Sequence, residues 1–115
     1  LLHSPFLKGK IDFYYENKLV TPSWFGLSVK ILTSAKNYKN IIIKKLESNG
    51  IETRPIISGN FANQPAAKIY GLNKKQKFPN TDSVYNKSFF IGLPTKQIKN
   101  DYLNKIVSAF EKSFK

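Results

Sequence analysis

The sequence contains no cysteine and no methionine, and only one histidine, one arginine and one tryptophan. Without cysteine there is no disulfide framework, no thiolate nucleophile and no cysteine-ligated metal. With His3 as the sole imidazole, a histidine-based metal site or a Ser-His-Asp triad built within this chain is not expected. Cysteine-free usage is compatible with a reducing compartment, and we expect a cytoplasmic protein. No run of about 18 apolar residues occurs, so no membrane-spanning segment is expected. The opening LLHSPFLKGK lacks the basic start and long apolar stretch of a signal peptide. No glycine-rich phosphate loop or Walker-type lysine is present. The absence of methionine, position 1 included, leads us to expect a segment of a longer polypeptide.

What the chain does have is enough material for one domain. Its 115 residues can bury roughly two thirds of their unfolded surface. Hydrophobic residues make up 41% and aromatics 14%, which argues against a disordered polyelectrolyte despite a formal charge of +12. That charge raises the question of nucleic acid. Its makeup weakens the case: of 19 basic residues only Arg54 is an arginine, and the lysines are scattered, never more than two in a row. Arginine is the usual side chain for guanine edges and bidentate phosphate contact. A solvated lysine surface is the better reading of the composition, with a stand-alone basic module for nucleic acid as its competitor and a structural interaction domain as a third.

Periodicity supplies the elements. Phe25, Leu27, Val29 and Ile31 alternate with Gly26, Ser28 and Lys30, the pattern of a strand with one buried face. A helix follows, with Asn37 as its expected N-cap, Tyr38, Ile41, Ile42 and Leu46 on one side, and Gly50 as its left-handed stop. Ile51–Arg54 reads as a strand ending at Pro55. Residues 58–65 read as a loop, with Asn63 and Pro65 opening a short helix through Tyr70. A further short helix is expected to start at Asn80 or Thr81, and Phe89–Leu93 to form a buried strand. The last helix, capped by Thr95, carries Ile98, Tyr102, Ile106, Phe110 and Phe114 every four residues, widened by Leu103 and Val107. Residues 1–21, with the aromatic stretch Ile11–Tyr15, are taken as a connecting segment, and 22–115 as the domain. The expected fold is an α/β (α+β) two-layer sandwich: a small, mostly antiparallel sheet of about three strands with helices on one face.

Arg54 is the most informative side chain, because it stands between a strand and a glycine-containing loop. It reads either as a bidentate clamp for a carboxylate or phosphate, or as a surface arginine paired with Glu52 or Glu47. Ser58, Gly59 and Asn60 add small and amide-bearing residues close to it in sequence, a composition common in ligand loops and in plain turns alike. Trp24 and Phe25 could stack on a sugar or base, or pack at the strand entrance. The seven carboxylates include no pair suited to acid–base work.

Three strings together resemble a known family: Ser23-Trp24-Phe25-Gly26; Gly50-Ile51-Glu52-Thr53-Arg54-Pro55-Ile56; and Ser58-Gly59-Asn60-Phe61 with Gln64-Pro65. The pattern, over roughly residues 20 to 110, is similar to the C-terminal small domain of the DegT/StrS sugar aminotransferases. These are fold-type I, pyridoxal-phosphate-dependent enzymes acting on nucleotide-linked keto-sugars. The Trp-Phe-Gly entry and the Gly-Asn…Gln-Pro loop are most similar to the sugar 3-dehydratase branch of lipopolysaccharide synthesis. The continuation Leu93-Pro94-Thr95 departs from that branch and leaves the aminotransferase reading open. The resemblance implies a longer, homodimeric parent whose large domain holds pyridoxal or pyridoxamine phosphate on a lysine, or on its histidine replacement. It implies that this chain alone binds no cofactor and is inactive. It further implies that Arg54, Ser58, Gly59 and Asn60, with Trp24 and Phe25 as lining, face a nucleotide-sugar substrate, and that glutamate serves as amino donor.

Overall fold

A computed structural model describes residues 1, 3–14, 18–33, 38–72 and 76–115. In chain order it contains β1 (Ile11–Phe13), β2 (Gly26–Ile31), α1 (Tyr38–Ser48), β3 (Thr53–Pro55), two 3-10 turns (Phe61–Asn63 and Pro65–Tyr70), α2 (Pro79–Lys87), β4 (Ser88–Gly92) and α3 (Asn100–Ser113). The strands form one antiparallel sheet in the order β1-β2-β4-β3. Because β2 and β3 both run against β4, they are parallel to each other with β4 inserted between, a split β-α-β arrangement.

Registers explain the single core. Phe13, Val29 and Phe89 lie side by side across three strands, with Ile11 beside Ile31 and Leu27 beside Ile91. Since alternate residues of a strand share a face, this row forms one apolar surface. Ile42 and Leu46 of α1 and Phe110 of α3, with Phe114 just past its end, close over it, and Val29, Ile42, Leu46, Phe89 and Phe110 are wholly buried. The edge-on contact of Tyr38 with Phe114 joins the ends of the two helices. Gly50, at φ 80°, ends α1 as its sequence position requires, and the Ile51 amide donates back to Leu46.

Several expectations are corrected. The sheet has four strands instead of three, because Ile11–Phe13, within the segment taken as connecting, pairs with β2. Leu7, Ile11 and Phe13 belong to the core, and the Ser4 hydroxyl donates to Glu111 of α3 at 2.5 Å. Residues 4–13 are therefore integral to the fold. Pro55 lies inside β3, tolerated because β3 is an edge strand. Pro79 opens α2, one residue before the expected caps, since its fixed φ suits a first helical turn. Residues 61–70 form 3-10 turns where a loop and a short helix were expected. The last helix starts at Asn100 instead of following Thr95. The expected cap Asn37 lies outside the described residues.

The apolar stripe of α3 is covered only along its C-terminal half. Tyr102 and Leu103 are exposed. With Ile98 and Ile106, Leu103 faces Trp24, Leu27, Ile91 and Leu93 across an open groove of about 550 Å³.

The other face of the sheet carries Ser28, Phe90 and Arg54 in one row, with Gly26 opposite Gly92. Phe90 lies over Gly26: a Cβ there would come within 2.6 Å of the ring and 3.2 Å of the Ile91 carbonyl, while one on Gly92 would meet nothing. Gly26→Ala should therefore cost about 1–3 kcal/mol by overpacking, and Gly92→Ala no more than about 0.5 kcal/mol. Urea unfolding of the two variants checks this, and equal midpoints would refute it.

Candidate functional site

Of the candidate residues, Phe25 and Arg54 are connected through Phe90, Trp24 lines the groove under α3, and Ser58, Gly59 and Asn60 lie in the turn beyond β3. Trp24 and Phe25 enter β2, and the Leu93 amide donates to the Phe25 carbonyl, which ties that entrance to the exit of β4. The Phe25 ring meets Phe90 edge-on at 5.5 Å, and Phe25 is 68% exposed. Trp24, half exposed, belongs to the groove under α3. Arg54 is the direct neighbour of Phe90 on the other strand. Phe25 and Arg54 thus flank one buried aromatic ring, an arrangement that register produces and linear spacing does not.

Arg54 is exposed, and its Nε and Nη2 both reach Oε1 of Glu52 at 2.9 Å. Of the two carboxylates that the sequence offers Arg54, Glu52 just before β3 is the one engaged, while Glu47 accepts from the Thr53 hydroxyl. An exposed pair of this kind contributes about 0–1 kcal/mol. The guanidinium is held loosely enough to exchange Glu52 for another carboxylate or phosphate.

Beyond β3 the chain turns sharply. Ser58 (φ 63°) and Gly59 (φ 53°) are consecutive left-handed residues, and the Gly59 amide donates to Ile56. A non-glycine residue in that region is uncommon and strained. Ser58 is exposed, whereas Asn60 is only 4% exposed. The Asn60 Oδ1 accepts from the Ala62 amide at 3.0 Å, capping the first 3-10 turn, and its Nδ2 donates to Asp82 Oδ1 at 2.5 Å. Both ends of that amide are therefore engaged inside the protein.

Sequence reasoning missed what stands behind this loop. The Tyr85 ring lies so close to Gly59 that a Cβ there would be 2.3 Å from it. Lys39 of α1 donates to the Tyr85 carbonyl and sits 5.3 Å from its ring centre. Partial burial holds the Lys39 ammonium below its ordinary pKa. Asp82 and Tyr85 are 22 and 26 positions from the residues they touch, and a carboxylate in the first turn of a helix carries no mark of such a partner.

Among the described residues, no three His, Cys, Asp or Glu side chains are placed to hold a metal ion. No described helix is long and apolar enough to cross a membrane. The groove gives pyridoxal phosphate an apolar wall but no cradle for its phosphate and no lysine. His3 and Tyr14 are its ionisable lining. The residues described here do not fit that cofactor by themselves.

Comparison with known proteins bears on the same segment. The model of the DegT/DnrJ/EryC1/StrS aminotransferase family matches residues 8–111. Lipopolysaccharide biosynthesis protein RfbH of Salmonella typhimurium is 31% identical over 93 residues, covering 81% of this chain and 21% of RfbH. GDP-4-keto-6-deoxy-D-mannose 3-dehydratase of Escherichia coli O55:H7 is 28% identical over 88 residues, or 74% of this chain and 23% of that protein. A solved structure of the E. coli GDP-4-keto-6-deoxy-D-mannose-3-dehydratase with bound hydrated PLP aligns with a TM-score of 0.68 at 22% identity. It covers 96% of this chain and 28% of that one, a likeness of fold. The chain spans between 16% and 23% of the length of the curated relatives it matches.

Proposed function

The chain belongs to the DegT/DnrJ/EryC1/StrS aminotransferase family, and from that premise we propose that it is the C-terminal small domain of a longer pyridoxal- or pyridoxamine-phosphate enzyme. The parent acts on nucleotide-linked keto-deoxysugars, by amino transfer or C3 dehydration, in lipopolysaccharide or O-antigen sugar synthesis. It works in the cytoplasm as a homodimer, with glutamate as amino donor. The observation that carries this reading is a family match over nearly the whole chain together with coverage of only 21% of RfbH.

In this reading the chain supplies one wall of the substrate site. Arg54 offers a planar, permanently charged fork to an anionic group of the donor or the sugar nucleotide. The exposed Ser58 hydroxyl and the Gly59 backbone lie just beyond it in the chain, with Phe25 and Trp24 as apolar lining. Asn60 serves that wall from behind by fixing the loop. The cofactor, when bound by the rest of the enzyme, supplies the electron sink for chemistry at the sugar carbon.

The complete polypeptide and the 115-residue chain should be purified separately and mixed with pyridoxal phosphate and a nucleotide-linked 4-keto-6-deoxy sugar. The complete polypeptide should bind the cofactor, seen by its near-visible absorbance, and consume the sugar. The short chain should do neither. Turnover by the short chain, or a complete polypeptide indifferent to the cofactor, would overturn the proposal.

A further inference from the structure

The strained turn after β3 is held by side chains that come from α2. Ser58, a non-glycine residue at φ 63°, stores local strain that persists only where surroundings over-determine it, and the left-handed Gly59 follows it without strain. Three contacts do so here. Asp82 accepts the Asn60 amide, Tyr85 fills the space beside Gly59, and Asn60 caps the following 3-10 turn through Ala62. Of these, the bond to Asp82 is the one with a charged acceptor and a part-buried setting, the class of hydrogen bond that matters most to local geometry. Its loss would leave the Nδ2 of the buried Asn60 without this partner, as loss of the cap would leave the buried Ala62 amide.

We propose that Asp82 is a positioning residue for the substrate wall: by holding Asn60 it fixes the backbone of Ser58 and Gly59, which follow Arg54 closely in the chain. This rests on the reading of the chain as a nucleotide-sugar enzyme domain and adds to it a residue far from the candidate motif.

The test uses the complete enzyme and whichever sugar it turns over from a panel of GDP- and dTDP-linked 4-keto-6-deoxy sugars. A loosened wall misplaces bound substrate, so Asp82→Ala should raise KM for the sugar about tenfold and change kcat no more than about twofold. Asp82→Asn keeps an oxygen able to accept the same hydrogen bond and should bring KM back to within about threefold of wild type. A merely structural role would lower the folded fraction, hence apparent kcat, and leave KM in place. Should Asp82→Ala fail to fold, Asn60→Ser retains the cap on Ala62 but drops the amide donor, and the same rise in KM is expected. An unchanged KM in the folded variants, or no rescue by Asp82→Asn, overturns the positioning role. Arg54→Lys separates that failure from a failure of the site. If Arg54→Lys impairs the enzyme and Asp82→Ala does not, the site stands without this support. If neither variant does, or if no sugar of the panel is consumed, the functional reading falls and this inference with it.

Discussion

Arg54→Lys in the complete enzyme should lower kcat/KM about thirtyfold, the loss of about 2 kcal/mol expected when a bidentate, charge-assisted contact becomes a single one. Lysine keeps the charge, so the effect isolates the geometry of the guanidinium fork. Folding should barely notice. The Arg54 side chain is 60% exposed and its partner Glu52 75%, so the pair contributes at most about 1 kcal/mol, less than about 3 °C in melting temperature for a chain of several hundred residues. Steady-state kinetics with the two proposed substrates, glutamate and the nucleotide sugar, varied in turn would show which of them Arg54 holds. An unchanged kcat/KM for both would remove Arg54 from the site.

The second large effect concerns stability. Phe89 is completely buried in β4, between Val29 on one neighbouring strand and Pro55 on the other. Cutting it to alanine removes a ring from the point where both core helices meet the sheet. The cavity and lost transfer energy should cost about 3–5 kcal/mol, a large part of the about 5–15 kcal/mol that holds a domain of this size together. We expect the melting temperature of Phe89→Ala to fall by at least about 10 °C. Ile57, which is 76% exposed, provides the contrast, and Ile57→Ala should change stability by no more than about 0.5 kcal/mol. If calorimetry gave the two variants similar melting temperatures, Phe89 would not be central to the core.

The elements that could be read from the sequence are those whose cause is local. β2 announces itself by strict alternation, α1 by its apolar face and the glycine after it, and β4 by an uninterrupted apolar run. The pairing of Arg54 with Glu52 is local in the same sense. What could not be read depends on partners distant in sequence. Ile11–Phe13 is too short to show a period, and is a strand because Ile31, Lys30 and Val29 lie opposite it. The stripe on α3 is real, but sequence cannot say that its first half faces an open groove while Phe110 and Phe114 face the core. In the candidate site, Arg54, Ser58 and Gly59 were named from chain order. The burial of Asn60 and its bond to Asp82 arise only when α2 folds back beside the loop. The sequence places Phe90 in a buried strand, and only the register makes it the link between Phe25 and Arg54.

The order β1-β2-β4-β3 leaves the two shortest strands, three residues each, at the margins of the sheet. Open strand margins are templates on which other chains add and polymerise. Here each offers only about one residue pair's worth of exposed backbone hydrogen bonding beyond its ends, and at one of them Pro55 has no N–H to give. A fibril growing on either margin would lose its template almost at once. The long apolar strands that could sustain such growth, β2 and β4, are the two the fold encloses.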